Sequence, residues 1–291
     1  MTRQIFNRSI KVNGIDIFYR EAGDRANPSV LLLHGFPTSS MMFKNLMIAL
    51  SDRFHLVAPD YPGFGFSAYP DRSLFEYSFK NISEHIDKFT DAISLKSFTI
   101  YLHDYGCPIG LRLCVNNPLK IERIIVQNGN AYDEGIGPQW DETKDYWQNP
   151  TAEKRAKVAG FLSEEGIKMQ YTAGVPEKLL GNISPESWMI DWDLMKRPGN
   201  IDMQFELNCD FKSNIEMFPV FQDYFRTYQP PALVMWGKHD AFFSVAEAYC
   251  YERDLLKVQV YIIDGGHMIL ETNFDEVLRL IESFLSGEKS L

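Results

Sequence analysis

Six short, mostly apolar runs constrain the fold more than any other feature: Val30–Leu33, His55–Ala58, Phe98–Leu102, Ile121–Val126, Ala232–Trp236 and Val258–Ile263. A continuous apolar run of this length suits a strand buried on both faces, as in a parallel sheet covered by helices. Helical stripes separate several of them. Phe79–Leu95 carries Ile82, Ile86, Phe89 and Ile93 at helical spacing, and Asn273–Ser286 carries Val277, Leu280, Ile281 and Leu285. The alternation predicts an α/β fold built on a doubly wound, mostly parallel sheet. Ahead of it, Ile10–Val12 and Ile15–Arg20 flank Asn13-Gly14, whose tolerance of positive φ predicts an antiparallel hairpin.

The rhythm breaks over 131–216, where four of the five tryptophans fall (Trp140, Trp147, Trp188 and Trp192) and no strand-like run occurs. This predicts a helical lid inserted between two core segments, 1–130 and 217–291, because aromatic-rich insertions commonly cover a pocket. With 45% hydrophobic residues among 291 the chain can bury a large core, and its net charge of −10 argues against nucleic acid or an anionic membrane surface as partner. Small neutral molecules are the expected partners, and the sequence carries no signal of oligomeric state. No apolar run approaches the roughly 18 residues of a membrane span. No signal-peptide core follows Met1, so a cytoplasmic location is expected. Cys107, Cys114, Cys209 and Cys250 form no C-x-x-C pair and read as buried small hydrophobes rather than metal ligands.

The segment Tyr101-Leu-His-Asp-Tyr-Gly106 lies where a strand meets a helix-like run, Ile109–Val115. A nucleophile at such a strained turn needs small neighbours, as in G-x-S-x-G. Asp104 fills the central slot and Gly106 follows, but Leu102 stands where a small residue is usual. On its own, Asp104 reads equally as a helix N-cap. Further segments join it: His34-Gly-Phe-Pro37 after the third strand, Trp236-Gly-Lys-His-Asp240 after a late strand, and Gly265-Gly-His267 after the last one. Together these resemble the α/β-hydrolase superfamily, most closely its aspartate-nucleophile branch of epoxide hydrolases and haloalkane dehalogenases, over nearly the whole chain.

The resemblance implies Asp104 as nucleophile, Asp240 as acid and His267 as base, in the chain order this fold imposes. It implies an oxyanion hole from the N–H groups of Phe36 and Tyr105, and a structural role for the loop Asp60–Ser67. The amides of Asn128-Gly-Asn130 cannot supply the negative charge, which leaves Asp240 for that role. Strand alternation sends His103 and His239 away from their reactive neighbours, and with His34, His55 and His85 they read as structural. No H-E-x-x-H spacing appears.

A carboxylate of reference pKa about 3.9 is ionised at neutral pH and attacks without a base. At an ester carbonyl it would form a reactive anhydride, so an sp³ carbon suits it better. The alkyl ester formed there is then cleaved by water that His267 deprotonates, with no metal or organic cofactor required. The leaving group separates the branches. Epoxide hydrolases use lid tyrosines, one commonly before an arginine, but Phe221-Gln-Asp-Tyr-Phe-Arg226 has Phe225 in that place, leaving Tyr224, Tyr171 or Tyr146 as candidate proton donors. Dehalogenases commonly place Trp after the nucleophile, where this chain has Tyr105, and use Asn where it has Phe36. Epoxide hydrolysis is the favoured expectation, with dehalogenation second and a non-catalytic ligand-binding protein as the alternative of another class. A serine esterase ranks last because G-x-S-x-G is absent.

Overall fold

Asn13 (φ 48°) and Gly14 (φ 85°) both take left-handed backbone and close the first hairpin, joining β1 (Ile5–Val12) to β2 (Ile15–Ala22). The structure is a computed structural model that describes residues 4–287. Six further strands complete the sheet: β3 (Ser29–Leu33), β4 (His55–Pro59), β5 (Phe98–His103), β6 (Ile121–Gln127), β7 (Ala232–Gly237) and β8 (Val258–Ile263). Their spatial order is β1-β2-β4-β3-β5-β6-β7-β8, antiparallel through the β2–β4 pair and parallel from there on.

The apolar runs are explained by burial on both faces. Leu31 and Leu33 of β3 point into one core with α2 (Phe79–Ala92) and α3 (Gly106–Asn116), whereas Val30 and Leu32 point into a second core. That second core is closed by the helix Lys44–Leu50 and the C-terminal helix Phe274–Ser286. Ser78 caps α2, its side chain accepting the Asn81 N–H at 3.2 Å. Between β6 and β7 the chain is helical, with α4 (Asp141–Gln148), α5 (Ala152–Val158), α6 (Glu164–Thr172), α7 (Glu177–Leu180), α8 (Pro185–Met195), α9 (Asn200–Asp210) and α10 (Lys212–Tyr228). The boundary expected at 216 falls inside α10, which runs unbroken, and Arg112 of α3 donates to Asn214 of α10 at 2.5 Å. No helix among the described residues is long and apolar enough to cross a membrane.

Leu102 at the turn looked too large, and the structure shows what accommodates it. A Cβ on Gly110 of α3 would lie 2.2 Å from a Leu102 methyl carbon and 2.9 Å from one of Leu33. The small residue the turn needs has moved into the helix. Gly110→Ala therefore overpacks this contact; a loss of about 1–3 kcal/mol is expected despite alanine's better helix propensity, read as a lower midpoint in urea denaturation.

Candidate active site

Five loops at the carboxyl ends of the parallel strands converge, where open α/β sheets bind ligands. Asp104 follows β5 with φ 49°, in left-handed backbone that a non-glycine residue rarely adopts. Its surroundings leave no slack. A Cβ on Gly35 would lie 2.3 Å from the Asp104 Cβ, and one on Gly106 would lie 2.3 Å from the Leu33 carbonyl oxygen. The N-cap reading of Asp104 does not hold: Oδ1 accepts the Phe36 N–H at 2.5 Å across the strands, and Tyr105 N–H supports the same carboxylate.

The structure brings together the residues that the resemblance singled out. His267 Nδ1 lies 2.9 Å from Asp240 Oδ2, while Nε2 faces Asp104 Oδ2 at 3.7 Å. Because a carboxylate only accepts, Nδ1 carries a proton, and in the neutral ring Nε2 then presents a lone pair towards Asp104. Asp240 is itself held by four donors or neighbours: the N–H groups of Phe242 (2.7 Å) and Phe243 (3.2 Å) on Oδ1, and the Asn128 amide (2.7 Å) beside His267 on Oδ2. Asn128, noted in the sequence only as unable to carry charge, thus orients the residue that does. Nothing in the sequence signals that role.

Burial dominates the electrostatics. It pushes the Asp104 carboxyl up to about 6, against the opposing influence of His267 and the two backbone N–H groups. For His267 burial favours the neutral ring, but Asp240 and then Asp104 outweigh it and raise its pKa above the ordinary imidazole value.

Other sequence expectations meet the structure unevenly. His239 is remote and pairs with Asp264 at 2.9 Å, and His34 stacks on Tyr61 with ring centroids 4.0 Å apart. His103 does not turn away from the site as alternation suggested, because its ring packs 4.8 Å from that of His267. Its Nδ1 is nevertheless taken by the Gln127 carbonyl at 3.0 Å, so it makes no hydrogen bond to Asp104 or Asp240.

Asp104 opens on a cavity of about 240 Å³, with Phe36 and Tyr105 as floor, Phe242 and Phe243 as wall, and Trp140, Val158, Phe161, Gln170 and Asn208 of the insertion as roof. None of the three candidate donor tyrosines lines it. Tyr224 is buried between α10 and α3, facing Cys114; the Tyr171 hydroxyl donates to buried Asp191; Tyr146 packs edge-on against Phe205 at 5.3 Å. Helix phase explains the miss. Chain position near the lid's end does not determine which face of a helix a side chain occupies. Tyr105 does line the cavity, and its hydroxyl meets the Asn208 amide.

The model of the alpha/beta hydrolase fold family matches residues 28–274. The chain belongs to that family. Its relatives include an uncharacterized hydrolase, YNR064C, of Saccharomyces cerevisiae, 38% identical over 94% of this chain and 93% of the yeast protein. A cis-3-alkyl-4-alkyloxetan-2-one decarboxylase of Shewanella oneidensis is 26% identical over 96% of this chain and 88% of its own length. A haloalkane dehalogenase of Mesorhizobium japonicum is 32% identical over 56% of this chain and 45% of its own. The chain is thus a hydrolase of the α/β family with haloalkane dehalogenase-like relatives.

The opposed influences on His267 give a measurable sign. NMR titration of its ring is expected to show a pKa above the ordinary value in the wild type. In Asp240→Asn, burial is left with only Asp104 against it, and the pKa falls; an unchanged value would show that Asp240 does not govern this ring.

Proposed function

We propose that this protein hydrolyses a small, largely apolar epoxide through a covalent ester on Asp104. The observation that carries the reading is the division of labour between the two Asp104 oxygens: Oδ1 rests on the Phe36 N–H at 2.5 Å, and Oδ2 lies 3.7 Å from His267 Nε2. In the first step Oδ2 attacks the epoxide carbon, the carbon–oxygen bond breaks, and the released oxygen takes a proton from the Tyr105 phenol. Burial, reinforced by Asp104, raises the phenol's pKa, so Tyr105 serves as a neutral donor beside the nucleophile. In the second step His267 Nε2 removes a proton from water, whose oxygen attacks the ester carbonyl. The N–H groups of Phe36 and Tyr105 hold the oxyanion, each worth about 3 kcal/mol in comparable chemistry. Collapse breaks the bond from the carbonyl carbon to the alkyl oxygen, which takes the proton from the imidazolium, and a diol leaves. Asp104, left as a carboxylic acid by the added hydroxide, releases that proton and the Tyr105 phenolate takes one up through solvent, which restores both groups.

A second reading, carbon–halogen cleavage through the same ester, is favoured by the similarity to the Mesorhizobium haloalkane dehalogenase. Against it, the indole N–H of Trp140 in the cavity is already given to the Phe242 carbonyl at 3.1 Å, so it is not free for a halide.

His267→Gln separates the possibilities. Incubated with styrene oxide, this variant should accumulate protein heavier by one substrate, with the added mass on the Asp104 peptide, while the wild type releases diol. Halide release from 1,2-dibromoethane with no diol from epoxides would favour the second reading. No adduct from either substrate would defeat both and leave a ligand-binding role.

The pH dependence follows from signs already given. The nucleophile must be ionised and the base neutral, so both requirements fail on the acid side. The rate of ester formation is expected to fall as pH drops through about 6 in single-turnover measurements, where Asp104 takes up its proton. No alkaline loss should appear near neutrality, because the Tyr105 phenol is raised.

A further inference from the structure

The cavity roof carries a polar group that the reaction above does not use. Gln170 lies on α6, is 7% exposed, and lines the same cavity as Asp104. Its carboxamide has no hydrogen-bond partner among the described residues. The other carboxamides that line the cavity each have a partner for one of their groups: Asn208 meets the Tyr105 hydroxyl, although its own Oδ1 is buried without a partner, and Gln139 donates to the Phe242 carbonyl at 2.8 Å.

The polar atoms of Gln170 are not sealed off without a partner, so they remain accessible from the cavity and open to a ligand's hydrogen bonds. The amide stands near Phe36, Val158 and Phe161 in a cavity of mixed lining that also includes Glu142 and Lys157, and placed polar groups set the orientation of a ligand in such a pocket. A glutamine side chain offers an acceptor oxygen and a donor nitrogen side by side. Its complement is a group with the same pair reversed.

We infer that Gln170 is a specificity residue, and that the substrate carries a carboxamide-like group, a carbonyl paired with an N–H or O–H, within a small molecule's length of its reactive carbon. This rests on the proposed reading for what happens at that carbon, but not for the recognition itself. A site built to satisfy such a group discriminates against an analogue lacking it, because the analogue covers the glutamine's polar atoms without pairing them.

Two unreactive ligands of nearly the same shape test this without any turnover: phenylacetamide and isobutylbenzene. Their dissociation constants are read from tryptophan fluorescence in the wild type and in Gln170→Leu, with Gln170→Met as a second apolar replacement in case leucine disturbs α6. The amide is expected to lose affinity relative to the hydrocarbon by about tenfold or more on either replacement, the loss of one buried hydrogen-bonded pair. A relative change under twofold in both variants, or no binding of phenylacetamide by the wild type, overturns the inference. The shift with no diol from any epoxide would sink the epoxide reading alone, and diol formation with an unmoved ratio would sink this one alone.

Discussion

Close backbone approach at one turn governs the rest of the site. Asp104 can hold a carboxylate at the end of β5 only because Gly35 and Gly106 lack side chains on either side of it, and because Gly110 yields its space to Leu102. Left-handed backbone at a non-glycine residue costs on the order of 1–3 kcal/mol and persists only where its surroundings fix it. Here β3 and β5 are neighbours in register, Leu33 opposite Leu102, so the loop carrying Phe36 and the turn carrying Asp104 leave the sheet together. The strained conformation and the hydrogen bond from Phe36 are two results of one strand pairing.

The same economy holds around His267. A ring buried this deeply would stay neutral and free to turn without the carboxylates beside it. Asp240 supplies both charge and direction, and its own orientation comes from Asn128 at the end of β6 and from two backbone N–H groups of its own loop. The chain therefore uses three adjacent strands, β5, β6 and β7, to place an acid, an amide and a second acid, with the imidazole arriving from beyond β8. Side chains fixed at each link by backbone or buried amide are preorganised, so little rearrangement accompanies a change of charge among them.

Much of this was legible in the chain. The six apolar runs became strands, Asn13-Gly14 closed its hairpin, and the order Asp104, Asp240, His267 came together in space. These succeed because strand burial and turn chemistry are local properties that single residues report. The lid tyrosines failed because their usefulness depends on which way a helix is rotated over a cavity: Tyr171 gives its hydroxyl to Asp191, Tyr146 packs on Phe205, and Tyr224 faces Cys114 between α10 and α3. Gln170 gave no signal at all, because an amide at a helical position reads as surface until the tertiary structure buries it. Asn128 was noticed only as an uncharged residue after a strand, since its bond to Asp240 depends on how β6 and β7 pair.

How the insertion stays registered over the core is a separate question, and Glu247 answers part of it. This carboxylate is fully buried on the short helix Val245–Cys250 that follows β7, and it accepts the N–H groups of Ala131 (2.5 Å) and Tyr132 (2.9 Å) together with the Asn130 amide. Those donors belong to the segment by which the chain leaves β6 for the insertion. Burial pushes its pKa up to about 8, yet every partner donates, which favours the ionised form. Gly135 completes the clasp, since a Cβ there would lie 1.5 Å from a Glu247 oxygen. The doorway to the roof is thereby tied to the loop that carries Asp240, Phe242 and Phe243. A displacement of the roof, with Trp140 donating to the Phe242 carbonyl, would pull on the loop that orients His267. The same short stretch after β7 thus holds the entry to the insertion through Glu247 and, through the Phe242 carbonyl, Trp140 of the insertion itself.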